Sequence, residues 1–149
     1  RTAVNMIHPP HDREVEEPQF NIAESLESQG DNEGALREYM VMARIFPKDS
    51  ETAFRVAHVL CELERFEEAA TSFERGLRLP VDAERAVLAT NRLADIYRDR
   101  LDQPTDAIRI LTEYLERFAD STHADIVQRR LDRMTRAATP PTTNATESF

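Results

Sequence analysis

The sequence predicts an all-α protein built as a solenoid of short helix hairpins, on three observations. Apolar residues recur at i, i+3, i+4 and i+7, as in Ala53, Val56, Ala57 and Leu60, and strand-like alternation never persists. Turn signals cut this helical text into segments of about 14 residues. Small and aromatic residues return at a fixed interval: Ala23 and Ala57, Ala35 and Ala69, and the aromatic pair Tyr39 and Phe73 are each 34 apart. A single helix hairpin cannot bury its own apolar stripe, so a period of this length calls for stacked copies.

The breaks are Gly30-Asp31, Pro47-Lys48-Asp49, Leu63-Glu64-Arg65, Pro80-Val81-Asp82, Asp102-Gln103-Pro104 and Ala119-Asp120-Ser121. Aspartate and proline stand where a helix start wants a capping oxygen or a preset φ. Seven helices follow, over 18–29, 32–46, 50–63, 66–79, 83–100, 104–118 and 122–136. Thr122-His123-Ala124-Asp125 has capping-box spacing ahead of the last one. That helix carries Ala124, Val127, Leu131 and Met134 on one stripe and Gln128, Arg129, Asp132 and Arg133 on the other, the pattern of a terminal cap. The flanks differ in composition. Residues 1–17 hold Pro9-Pro10 and an acidic run, and 137–149 are rich in Thr and Pro, so both are expected to be disordered around a folded unit at 18–136. The sequence opens on Arg1, and an upstream targeting or anchoring segment is an open expectation.

Three copies can be aligned. Residues 16–49 contribute Ile22, Ala23, Leu26, Gly30, Ala35, Tyr39 and Pro47; residues 50–83 contribute Val56, Ala57, Leu60, Ala69, Phe73 and Gly76. Residues 87–120 follow with Leu93, Ala94, Tyr97, Ala107 and Leu111. This copy is looser, with three extra residues before its first helix and one in its turn. The chain resembles the tetratricopeptide repeat family, whose pattern has small residues at the eighth, twentieth and twenty-seventh positions and bulky ones at the fourth, seventh, eleventh and twenty-fourth. It departs from that pattern in lacking tryptophan, in Met42 and Tyr114 near the ends of two second helices, and in Gln19, Ala53 and Thr90 at the fourth positions.

The resemblance implies a right-handed α-solenoid of about three helix pairs plus a C-terminal capping helix. It also implies a non-catalytic scaffold or adaptor that takes a protein or peptide in the concave groove lined by the first helix of each pair. Carried onto this chain, groove positions are Phe20, Asn21, Glu24 and Glu27; Glu51, Phe54, Arg55, His58, Cys61 and Glu62; and Leu88, Asn91, Arg92, Asp95, Arg98 and Asp99. Phe20 and Phe54 are either partner anchors or packing between neighbouring first helices. A lysine–asparagine carboxylate clamp is not expected, because Phe20 and Glu24 occupy its places. Arg55, Arg92 and Arg98 offer guanidinium groups for a carboxylate.

Chemistry is thin elsewhere. Lys plus Arg is 19 against 28 Asp plus Glu, a net charge of −9, which argues against nucleic acid or an anionic membrane surface as partner. Three glycines make no phosphate-binding loop, and one cysteine makes no intrachain disulfide. No apolar run is long enough to span a bilayer. No cofactor and no metal site is expected: His8, His11 and Asp12 are metal-ligating types, but Pro9-Pro10 gives them no rigid geometry. His58 and Cys61 are three apart on one helix and lack any glycine-rich oxyanion hole, so packing is the expected role of the cysteine. Asn144-Ala145-Thr146 is formally a glycosylation sequon. Eight acids and one base over 12–33 face four arginines and one acid over 126–136, which suggests either weak head-to-tail self-association or a solubilising cap. An alternative role is an envelope-associated accessory module held by an upstream anchor. Residues 114–121, followed by Ala124, resemble the helix ending of bacterial envelope members. Cytoplasmic and envelope-facing compartments both remain open.

Overall fold

A computed structural model describes residues 17–138; the expectations for 1–16, including the His8–His11–Asp12 group, and for 139–149, including the Asn144 sequon, lie outside them. Seven helices and no strand occur among the described residues: α1 (Asn21–Ser28), α2 (Asn32–Ile45), α3 (Ser50–Glu62), α4 (Phe66–Arg78), α5 (Ala83–Asp95, continued by a π-helical turn over Ile96–Arg100), α6 (Pro104–Arg117) and α7 (Ala124–Ala138).

Local chemistry sets the starts. Asp31, Asp49 and Asp82 each accept the backbone N–H three residues on, from Gly34, Thr52 and Arg85 at 2.9, 2.8 and 2.8 Å. Pro104 opens α6 at the one place where a missing N–H costs nothing. Two helices differ from expectation by more than a residue at an end. α1 begins at Asn21 rather than 18: Phe20 has no capping oxygen and is held outside the helix, its ring 5.9 Å from that of Tyr39. α7 runs over Ala124–Ala138 rather than 122–136. Its first turn is closed by backbone bonds, Ala124 N–H to Ser121 O and Val127 N–H to His123 O.

The hairpin turns explain the loose third copy. In the first, Gly30 takes a left-handed φ of 80° and the next N–H, of Asp31, bonds Leu26 O at 2.8 Å. In the second, Glu64 takes 57° and Arg65 N–H bonds Leu60 O at 2.8 Å. In the third, Asp102 takes 52° and Gln103 N–H bonds Tyr97 O at 2.6 Å. Leu26, Leu60 and Tyr97 are equivalent, yet the last bond spans one residue more. The π turn, closed by Leu101 N–H to Ile96 O at 3.0 Å, absorbs that extra residue, so α6 leaves in the same place as α2 and α4.

Consecutive helices pack pairwise in chain order, α1 on α2, α3 on α4, α5 on α6, with α2–α3, α4–α5 and α6–α7 joining the pairs. The alanines sit at the crossings: Ala57, Ala94, Ala35, Ala69 and Ala107 are wholly buried, and Ala23 nearly so. At Gly76 helices α3 and α4 come so close that a Cβ would stand 2.5 Å from the Phe54 ring. Tyr39, Phe73 and Leu111 fill the layer behind. Val127 and Met134 of α7 are buried, so α7 caps the last pair as its stripe implies. Ile22 is 66% exposed while Val56 and Leu93, its repeat equivalents, are buried, because no described helix pair precedes α1.

Candidate functional site

Helices α1, α3, α5 and α7 are the first members of successive pairs, and polar ties run from each to the next. Arg55 on α3 donates to Glu24 on α1 at 2.5 Å and to Glu51 one turn back at 3.1 Å, with its guanidinium 4.2 Å above the Phe20 ring. Arg85 on α5 stands 4.0 Å from Glu51. Arg130 on α7 donates to the backbone and side-chain oxygens of Asn91 at 3.1 and 3.0 Å and also pairs with Asp95. On the other side Arg109 of α6 donates to Glu74 of α4 at 2.6 Å, and Arg117 donates to the carbonyls of Leu77 and Leu79.

These ties decide which sequence-derived groove residues are available. Phe20 and Phe54 are half-buried and pack between neighbouring elements, Phe20 on Tyr39 and Phe54 with its ring 6.2 Å from Phe73. Of the three arginines expected to offer themselves to a carboxylate, two are already taken. Arg55 holds Glu24 and Glu51, and Arg98 holds Asp99 at 2.7 Å and Asp95 at 3.4 Å. Arg92 alone of the three has no carboxylate paired with it among the described residues. Asn91 and Asp95 are partners of Arg130, while Asn21 is exposed at the start of α1. His58 lies 3.9 Å from Glu27 and 4.0 Å from Glu62.

What the fold leaves open is an apolar hollow of about 160 Å³ between α3 and α5, with Phe54, Phe73, Leu88 and Ala89 against it and His58 and Arg92 beside them. Leu88 is 67% exposed, a large apolar side chain presented to solvent in the middle of this face. Glu51, Phe54 and His58 also border a shallower trough toward α1 that carries Glu24 and Glu27. One continuous surface thus has an apolar centre, an acidic side and, in Arg92, a guanidinium with no carboxylate paired to it among the described residues. Arg85 and Arg130 escape sequence reading because neither falls on a groove position of the repeat pattern, although the excess of arginine on α7 marked that helix.

The arrangement is poor in reactive groups. Burial pushes the Cys61 thiol above its ordinary value, with Arg92 and Arg100 pulling the other way, so burial opposes formation of a nucleophilic thiolate. Among the described residues no three His, Cys, Asp or Glu side chains are grouped to hold a metal ion, and no helix is long and apolar enough to cross a membrane.

Helix hairpins stacked in chain order, with polar ties between successive first helices, define an α-helical repeat protein. The family model described as tetratricopeptide repeat matches residues 92–121, the stretch that holds the π turn and α6. Such repeats serve as protein–protein interaction modules, generally without catalysis. No curated protein matches the chain.

Proposed function

We propose that this chain is a scaffold or adaptor module that binds an extended peptide or a projecting protein segment across α1, α3 and α5. The observation that carries the reading is Leu88, left bare beside the Phe54–Phe73 hollow and next to Arg92. A bulky apolar side chain of the partner fills the hollow, where burial contributes on the order of 1.5–3 kcal/mol. A basic residue beside it meets Glu24, Glu27 and Glu51, and a carboxylate or backbone carbonyl meets Arg92.

The test is selection of displayed peptides on the protein and on a Leu88→Glu, Arg92→Ala variant. Both positions are exposed, so the variant keeps its fold, checked by circular dichroism. Peptides pairing a bulky apolar residue with a basic one should be enriched on the parent and lost on the variant. Selection that survives both substitutions places binding on another face. Arg55 is a poor probe, because it braces α1 against α3.

A second reading keeps this groove and sets the module in a bacterial envelope, on the strength of residues 114–121, which end α6 within the matched stretch. The upstream coding sequence tests it: a signal or apolar segment supports the reading, and a further soluble domain overturns it.

A further inference from the structure

A second hollow, of about 190 Å³, lies between α4, α5 and α6, away from the first-helix groove. Its origin is visible in the sequence. The fourth position of each repeat is a bulky one in the tetratricopeptide pattern, and in the third copy it is Thr90. Leu77, Ile110, Tyr114 and Phe118 stand around the vacated space.

Thr90 is 1% exposed and lines the hollow, yet its hydroxyl bonds no group among the described residues. Other helical threonines behave differently. Thr71 and Thr112 return their hydroxyls to the carbonyls of Glu67 and Ile108 at 3.1 and 2.8 Å. Most neighbouring polar groups are already satisfied: Glu74 accepts from Tyr97 and Arg109, Glu113 accepts from Arg109, the Tyr114 hydroxyl meets Ala83 O and Ser121, and Arg117 holds two carbonyls of α4 and the turn after it, while Arg78 at the rim is exposed to solvent. The hollow therefore combines apolar walls and a charged rim with one buried unmet hydrogen bond. A dry apolar cavity of about 150 Å³ is large enough for benzene.

We infer that this hollow is a binding site for a small aromatic molecule carrying one hydrogen-bonding group. The ring takes the place of the missing fourth-position side chain, and the heteroatom pairs with Thr90 Oγ1. Occupancy wedges the second and third hairpins together, so the ligand stabilises the fold. The inference is independent of the concave groove and of any partner there.

The experiment titrates indole and benzene into the whole chain, following the side-chain methyl resonances of Leu77 and Ile110. Saturable shifts at these methyls, and not at Leu88, are expected for both ligands. Thr90→Val keeps the shape and removes the hydroxyl; it should weaken indole about tenfold, the worth of one neutral hydrogen bond, and leave benzene unchanged. Thr90→Leu fills the space and should abolish both while the protein still melts cooperatively. Absence of saturable shifts, as for a hollow that holds only water, overturns the proposal. So does indole binding that Thr90→Val leaves untouched.

Discussion

Phe73→Ala tests whether the hairpins share one close-packed core. Phe73 is 3% exposed, in the layer between α3 and α4, and its ring supports that of Phe54. Truncation removes roughly 100 Å³ of side chain, and an unrelaxed cavity of that size costs about 2.4 kcal/mol at about 24 cal/mol per Å³. The lost transfer energy of the ring adds about 1.5–2 kcal/mol. The sum, about 4 kcal/mol, falls within the usual range of about 3–5 kcal/mol for Phe→Ala. A domain whose total stability is about 5–15 kcal/mol loses a large share of it. With a urea dependence of about 2 kcal/mol per M, the midpoint should fall by about 2 M. The assay is urea unfolding followed by far-ultraviolet circular dichroism, with Phe73→Leu as a milder companion. A midpoint moved by less than about 0.5 M would show that α3 and α4 do not depend on this layer, and the stacked-core argument would fail.

Three further outcomes are expected. Glu64→Gly relieves a left-handed backbone at φ 57° that costs a non-glycine residue about 1 kcal/mol, so the melting temperature should rise by a few degrees; a fall contradicts the turn assignment. Deleting Asp99 should turn the π turn into the ordinary helix end of the other two copies, leaving thermal stability within about 1 kcal/mol of the parent. Loss of cooperative melting would show that the insertion is structurally required. Burial, reinforced by hydrogen bonds to Glu27 and Glu74, pushes Tyr39 and Tyr97 up to about 12. The folded state therefore holds protons that the unfolded chain gives up near 10, and stability declines as pH rises from about 10 through about 12. Urea midpoints measured at successive alkaline pH values should show this slope, and Tyr39→Phe with Tyr97→Phe should flatten it; an equal slope in the double variant refutes the assignment.

The helices were legible because amphipathic spacing and capping aspartates are local signals, and Asp31, Asp49 and Asp82 cap as their positions suggest. The start of α1 was not, since it turns on the Phe20 ring meeting Tyr39, a contact between separate elements. Sequence reading found the extra residue in the third turn but not its form; a π turn is a backbone solution that periodicity cannot distinguish from a longer loop. The expected groove was available only as a list of positions taken from the resemblance. Arg98 is taken by Asp95 and Asp99 close by in sequence, but other charges there are spoken for by residues 31 to 39 positions away, as Glu24 is for Arg55 and Asn91 for Arg130. The Thr90 hollow was written as a departure from a pattern, yet its volume exists only once α4 and α6 stand side by side.

The arginine ties along the first helices have a mechanical meaning. Each step of the stack is fastened by ionic or polar contacts of different tightness: Arg55 to Glu24 at 2.5 Å with a ring beneath it, Arg85 to Glu51 at 4.0 Å, and Arg130 to Asn91 at 3.0 Å. Along the first helices the middle fastening is the slackest, at the seam where Leu88 faces outward, while Arg109 holds Glu74 at 2.6 Å on the far side of the same joint. Dissolved salt weakens exposed ionic links over a Debye length of about 8 Å at physiological strength, so this joint is held on one side by a pair that salt loosens and on the other by a tighter clasp.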